Sequence, residues 1–300
     1  MRKLRYQPNA GARTLRTSKT KVIALVVHLG VNDELAETVP YVETVINEAR
    51  RRDYEVVLNT VSEGRAEIIR LAGRAICDGF IIMDVRTLDD RVAAAAQLSI
   101  PAVLVGRPAD PHGLDVVDFD TLKAGELLVD ELAHTGHRHI AMFGEPENTT
   151  ESFRFITDFY DGIRQRAASY GIGLTIVPRS GTDWDSVRVT ADQLFEHRGD
   201  RLGLIALTPR DTHVLVQLLQ VHQMVPGRDV SLVSRCTDEM ALSFARPISN
   251  VSPRPRELSS MAMTLLFRRL DGDTSGPHTE LVEPEAVTRR ATTALFGTSG

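Results

Sequence analysis

Short, wholly apolar runs alternate with stretches of helical spacing along this chain, and that alternation limits the fold more than any other feature. The first run, Val22–Val27, reads VIALVV. A strand with no polar face needs cover on both sides, and parallel sheets flanked by helices supply it. Helical spacing follows over 35–52, where Val39, Val42, Ile46 and Ala49 recur on one face. The order then repeats, with strands at 55–59, 79–83, 101–105 and 116–119. Helices fall between and after them at 63–76, 88–98 and 122–135, the last with Gly136 as its C-cap. The cycle restarts with strands at 139–143, 174–177, 202–207 and 230–234 and helices at 155–170, 184–197 and 211–223. Units of this kind wind right-handed, so each run predicts an open, doubly wound α/β lobe. Two such lobes leave a cleft at the carboxyl ends of both sheets, where small ligands bind. A helix at 256–270 and a strand near 280–283 follow a complete second lobe. They predict interleaved lobes, with a hinge of several crossing segments.

Composition narrows the class. At 300 residues the chain is long enough for two lobes of roughly 100–150 residues each. A 42% hydrophobic and 25% charged balance suits an ordinary globular protein. Aromatic residues make up 5%, with one tryptophan, Trp184, which argues against a large aromatic surface. Cys77 and Cys236 form no CxxC pair, so neither a disulfide framework nor a zinc ribbon is expected, and a reducing compartment fits. Apolar runs fall far short of the ~20 residues of a membrane span. The basic N-terminus lacks the apolar run of a secretory signal, so a cytoplasmic location is expected.

The net charge of −5 conceals an asymmetry. Residues 1–21 hold seven lysines and arginines and no acid, leaving 28 basic against 40 acidic residues in the remainder. A basic arm on an acidic body suits a polyanionic partner, although composition alone equally fits a solvated tail. Within the arm, Pro8 and Asn9 mark a helix start, and a helix could run from Ala10 to Arg16. A helix that short is unstable alone. Against DNA, its basic residues would meet phosphates and Leu15 would offer an apolar wedge.

Other motifs carry less. His134, His137 and His139 resemble a metal cluster, but Gly136 ends a helix between them and scatters the rings. A helix C-terminus carrying cationic groups is the simpler reading, and no metal is expected. Gly171 and Gly173 lack both the third glycine and the preceding strand of a dinucleotide fingerprint. There is no P-loop and no GxSxG elbow. No nucleophile–base constellation can be named, so neither an enzyme nor a cofactor is expected.

The arm and a series of later motifs resemble the LacI/GalR family of bacterial transcription regulators. Tyr6-Gln7-Pro8-Asn9-Ala10, Ala12-Arg13 and Leu15-Arg16-Thr17 resemble that family's hinge. The likeness continues through Ile100-Pro101-Ala102-Val103 to Arg107, and Gly136-His137-Arg138-His139-Ile140-Ala141. It goes on with Val225-Pro226 to Asp229-Val230-Ser231-Leu232-Val233, and with Ile248 to Pro255. The resemblance implies a periplasmic-binding-protein-like core of two interleaved doubly wound lobes. It also implies a homodimer, a small-molecule effector in the cleft, and a hinge helix that inserts Leu15 into the minor groove. Arg5, Tyr6, Asn9, Ala12, Arg13, Leu15 and Arg16 would then contact operator DNA. A family member carries a helix-turn-helix ahead of Leu4, so base reading is expected only with that unit restored. The implied partition gives a hinge at 1–19, a first lobe at 20–137 plus about 249–275, and a second at 138–248 plus about 276–300.

The resemblance also implies an effector site, and this chain departs from its usual pattern. Arg107 and Asp120 match family positions near the effector. Phe159 stands where sugar-binding members place arginine, Pro209-Arg210 where they place Asn-Asp, and Cys236 where they place aspartate. Trp184 completes the expected effector set. A sugar pocket depends on bidentate polar groups, so three such losses argue for an unusual effector or none. Arg107, Arg210 and Arg235 would suit an acidic ligand, while drift in a regulator that no longer senses a sugar explains the losses equally well. A solute-binding protein of the same fold that never touches DNA is the alternative reading.

Overall fold

The computed structural model describes residues 19–27, 35–60, 64–146, 149, 152–179, 181 and 184–296. Arg5, Tyr6, Asn9, Ala12, Arg13, Leu15 and Arg16 lie outside the described residues. Two parallel sheets form the frame. The first contains β1 (Val22–Val27), β2 (Glu55–Thr60), β3 (Gly79–Ile82), β4 (Ala102–Val105), β5 (Asp115–Phe119) and β11 (Thr279–Val282). The second contains β6 (His139–Phe143), β7 (Gly173–Val177), β8 (Leu202–Ala206), β9 (Ser231–Arg235) and β10 (Ser249–Val251). Their spatial orders are β11-β5-β4-β3-β1-β2 and β10-β9-β8-β6-β7. Nine helices lie among the described residues: α1 (Leu35–Arg50), α2 (Arg65–Gly73), α3 (Asp90–Ala96), α4 (Thr121–His134), α5 (Arg154–Tyr170), α6 (Trp184–Leu194), α7 (Pro209–Val221), α8 (Asp238–Ser243) and α9 (Pro255–Leu270).

Each sheet is covered on both faces, as its apolar strands require. In β1, Ala24 and Val26 face Ile68 of α2 and Val92 of α3. Ile23 and Leu25 face the opposite way, toward Val45 of α1 and Leu266 of α9. In β6, Ala141 and Phe143 pack with Val187 of α6 and Leu215 of α7. Ile140 and Met142 pack with Leu128 of α4 and Ile163 of α5. Helices α4 and α5 come unusually close. A Cβ on Gly125 would lie 2.8 Å from the Phe159 carbonyl oxygen, and one on Gly162 would collide with the Leu122 carbonyl.

The lobes interleave, but not along the partition expected from the resemblance. Helix α4 packs on α5, β9 and β10, so 121–134 lies with the second sheet rather than the first. Strand β10 pairs with β9 through Asn250 and Ser234, so it too belongs to the second sheet. Strand β11 pairs with β5 through Leu281 and Asp118, which returns 279–282 to the first sheet. The chain therefore crosses between lobes after β5, after β10 and after β11. The last crossing is fixed by Leu232 N–H donating to the Thr292 carbonyl at 2.9 Å and by Ala294 N–H donating to Ser231 Oγ at 2.7 Å.

Candidate functional site

A cleft of about 940 Å³ lies between the lobes. Its walls are the segments that follow the strands of both sheets. Met83–Leu88 after β3 and Gly106 after β4 come from the first lobe, and Glu145 after β6, Arg179 after β7 and Thr208 after β8 from the second. In each sheet strand order reverses direction beside the first strand of the lobe, between β1 and β3 and between β6 and β8. Loops diverge at such a point and leave a crevice. Tyr41, Phe119, Phe153 and Phe155 give the cleft an apolar surface among its charges.

On the second-lobe wall, β6, β7 and β8 bring together three charged groups that are far apart in sequence. The Arg179 side chain is 1% exposed. Its Nη2 donates to Glu145 Oε1 at 2.6 Å and lies 2.8 Å from Asp211 Oδ1, the latter an ion pair without hydrogen-bond alignment. Asp211 also closes a capping box with Thr208 at the start of α7. Tyr160 Oη accepts from the Glu145 backbone N–H at 2.6 Å. Burial pushes the Glu145 carboxyl up to about 7, and the Asp211 charge beside it adds to the rise against the pull of Arg179.

Other pairs join the lobes across the cleft. Arg235, at the end of β9, places Nη1 3.6 Å from Glu37 of α1. Its guanidinium stands 5.9 Å from the Phe119 ring centre and 5.6 Å from that of Phe155. Arg107 pairs with Asp158 of α5 and approaches Asp118 of β5 at 3.6 Å. Burial pushes Asp118 up to about 6, against the Phe119 N–H it accepts and the nearby Arg107. Thr87 N–H donates to the Ser152 carbonyl at 2.8 Å.

The structure gathers only part of the effector set expected from the resemblance. Arg210 lines the cleft in the first turn of α7. Arg107 stands beside the cleft-lining Gly106 and is engaged by Asp118 and Asp158. Asp120 does not line the cleft; it caps α4, its Oδ1 accepting from Lys123 N–H at 2.9 Å. Phe159 is fully buried in the core, because it faces α4 one turn beyond the cleft-lining Phe155. Trp184 begins α6, is 41% exposed and stands outside the cleft. Cys236 is fully buried, its thiol pushed up to about 12 by burial, and its carbonyl accepts from Asn250 Nδ2 at 2.8 Å. Sequence reasoning missed Glu145, Arg179 and Asp211. Their signal was position alone, since each lies just past a strand flanking or neighbouring the reversal point.

The histidines seen in the sequence point to separate neighbours. His137 Nδ1 lies 2.9 Å from the Leu132 carbonyl oxygen, His134 meets Tyr170 edge-on, and His139 stacks on His197. Among the described residues no group of three His, Cys, Asp or Glu could hold a metal ion, and no helix is long and apolar enough to cross a membrane.

Two interleaved parallel-sheet lobes around a cleft define a periplasmic-binding-protein-like protein. The family model of the periplasmic binding protein-like domain matches residues 129–293, and that of the periplasmic binding proteins and sugar binding domain of LacI family matches residues 39–172. The chain belongs to this family, in its LacI-type branch of transcriptional regulators. It is 25% identical over 303 residues to the HTH-type transcriptional regulator CelR of Thermobifida fusca, covering 97% of this chain and 87% of that relative. It is 22% identical over 301 residues to the HTH-type transcriptional repressor PurR of Vibrio atlanticus, covering 97% and 87%. Among solved structures, a transcriptional regulator CelR–cellobiose complex superposes with a TM-score of 0.76 at 21% identity, covering 96% of this chain and 92% of that one. A regulatory protein of LacI family from Chloroflexus aggregans gives 0.77 at 20%, covering 91% and 98%.

Proposed function

We propose that this regulator binds a small-molecule effector in the inter-lobe cleft and that occupancy changes the angle between the lobes. The carrying observation is the cleft itself. It is roomy and lined by aromatic rings and charged groups from both lobes, and the crossing segments behind it can act as a hinge. A ligand that touches both walls binds one lobe angle better than another and shifts the population toward it. The solved complex of CelR with cellobiose supports a small-molecule ligand by analogy. The basic arm, in a homodimer, carries the change to operator DNA, with a helix-turn-helix unit ahead of it to read bases. The protein acts in the cytoplasm, as a repressor, by binding rather than catalysis.

A thermal-shift screen of the whole chain against a metabolite library tests the effector reading, with Thr38→Trp as a variant that fills the cleft. The expected result is a ligand that raises the Tm of the natural chain and leaves that of the variant unmoved. A library in which nothing protects the chain, or protection that survives in Thr38→Trp, overturns it. Sedimentation that shows only monomer at micromolar concentration contradicts the homodimer.

A further inference from the structure

The two walls of the cleft differ in charge. The first lobe contributes Glu37, Asp84, Asp89, Asp90 and Asp118 against Arg86 and Arg91, and Arg91 is tied up by Asp89 at 2.6 Å. The second contributes Arg179, Arg210 and Arg235 against Glu145 alone. These arginines are not saturated. Nε and Nη1 of Arg179 are buried with no hydrogen-bond partner among the described residues, and the same is true of Arg235 Nε. Arg210 makes no ion pair with any described residue. The closest acid to Arg235 is Glu37 of the opposite lobe, at 3.6 Å, beyond good hydrogen-bond distance. A guanidinium only donates, so each orphaned nitrogen asks for an acceptor. Thr208, Pro209 and Arg210 also place the N-terminus of the 13-residue helix α7 on this wall, where its dipole favours negative charge.

We infer that the second-lobe wall, built from Arg179, Arg210, Arg235 and the start of α7, is an oxyanion site, so that the effector carries a carboxylate or phosphate group. This deepens the effector reading and rests on it. The acidic first-lobe wall turns the anionic end of such a ligand toward the second lobe. The two carboxylates near Arg179 do not cancel the site. Asp211 balances Arg179 as an ion pair at 2.8 Å and Glu145 is pushed toward its neutral form by burial, so Arg210 and Arg235 leave the wall net positive. The anion also competes with Glu37 for Arg235, so its arrival loosens one of the pairs that joins the lobes. An uncharged sugar leaves that pair in place.

Calorimetric titration of the whole chain at constant ionic strength, with sodium chloride as background, separates the cases. The probes are inorganic phosphate, D-glucuronate and its uncharged counterpart D-glucose. Phosphate is expected to bind above the chloride background, and glucuronate at least about tenfold more tightly than glucose. Arg210→Gln, a change at a half-buried helix-start position, should weaken the anions about tenfold. Phosphate heats no larger than those of chloride overturn the inference, as does an anion preference that survives in Arg210→Gln. Glucose that binds as well as glucuronate removes the oxyanion site and leaves the effector cleft standing. Failure of the whole library in the thermal screen removes the cleft reading itself.

Discussion

Replacing Glu145 by glutamine should turn a pH-dependent stability into a flatter one. In the fold, the Glu145 carboxyl titrates near 7 instead of 4.5, because it is buried and faces Asp211. The folded carboxyl holds its proton to higher pH than the unfolded one. Its stabilising contribution is therefore complete below about pH 4.5 and is lost as pH rises to about 7. At about 1.4 kcal/mol per pH unit, the displacement amounts to about 3 kcal/mol across that window. Glutamine keeps an oxygen for Arg179 Nη2 and has no proton to lose. Urea unfolding of both proteins at several pH values between about 5 and 8 measures the difference. Asp118 and His137, also displaced by burial, make the same contribution in both proteins and cancel. The stability of Glu145→Gln relative to the natural chain should climb by up to about 3 kcal/mol as pH rises through this range. A gap that stays flat with pH refutes the argument that burial and Asp211 hold the proton on Glu145.

Three further outcomes follow from the packing. Gly162→Ala should lower stability by about 1–3 kcal/mol in urea unfolding, because the added Cβ collides with the Leu122 carbonyl, although alanine is the better helix former; an unchanged midpoint would contradict the close α4–α5 contact. Arg269→Met should cost about 3–5 kcal/mol, since Arg269 donates to both oxygens of the buried Asp115 at 2.7 Å and fastens α9 to β5; a loss under 1 kcal/mol, as for a surface pair, would refute the role. Burial holds His137 down at about 4, so its NMR ring signals should not titrate between about pH 5 and 8, and a midpoint near 6.5 would contradict the burial argument. Its neutral form is the one the fold holds, so its contribution to stability is present above 6.5 and falls away as pH drops toward 4.

Much of the frame was legible in the sequence, because the strands are apolar through and through. Val22–Val27 announces itself, since a six-residue run without a polar position has few homes other than a doubly covered sheet. The short elements were not legible. Strand β10 reads SNV, and its polar side chains are satisfied by distant chain: Arg290 N–H donates to Ser249 Oγ at 2.8 Å, and Arg290 Nη1 donates to Asn250 Oδ1 at 2.7 Å. Nothing local in those residues indicates a strand. Helix α8, at Asp238–Ser243, was hidden by its shortness. The lobe of α4 was also hidden, since its apolar face could serve either sheet, and the contact through Gly125 and Gly162 decides it.

The site was harder to read for a related reason. A residue's chemistry is local, whereas its direction depends on the fold. Phe155 and Phe159 are one helical turn apart, yet one lines the cleft and the other fills the core. Glu145, Arg179 and Asp211 look individually like solvated surface charges. Only the order β7-β6-β8 places them side by side, where each carries the consequences of the others' burial.

The central claim is that a ligand in the cleft resets the angle between the lobes, and an inter-lobe distance measures that directly. Spin labels on cysteines introduced at Arg51 and Asp192, exposed positions on opposite lobes, would report it. The native Cys77 and Cys236 are buried and stay unlabelled. A ligand found by the thermal screen is predicted to shift and narrow the distance distribution, and to do neither in the Thr38→Trp background. A ligand that protects the chain while leaving the distribution unchanged contradicts the account.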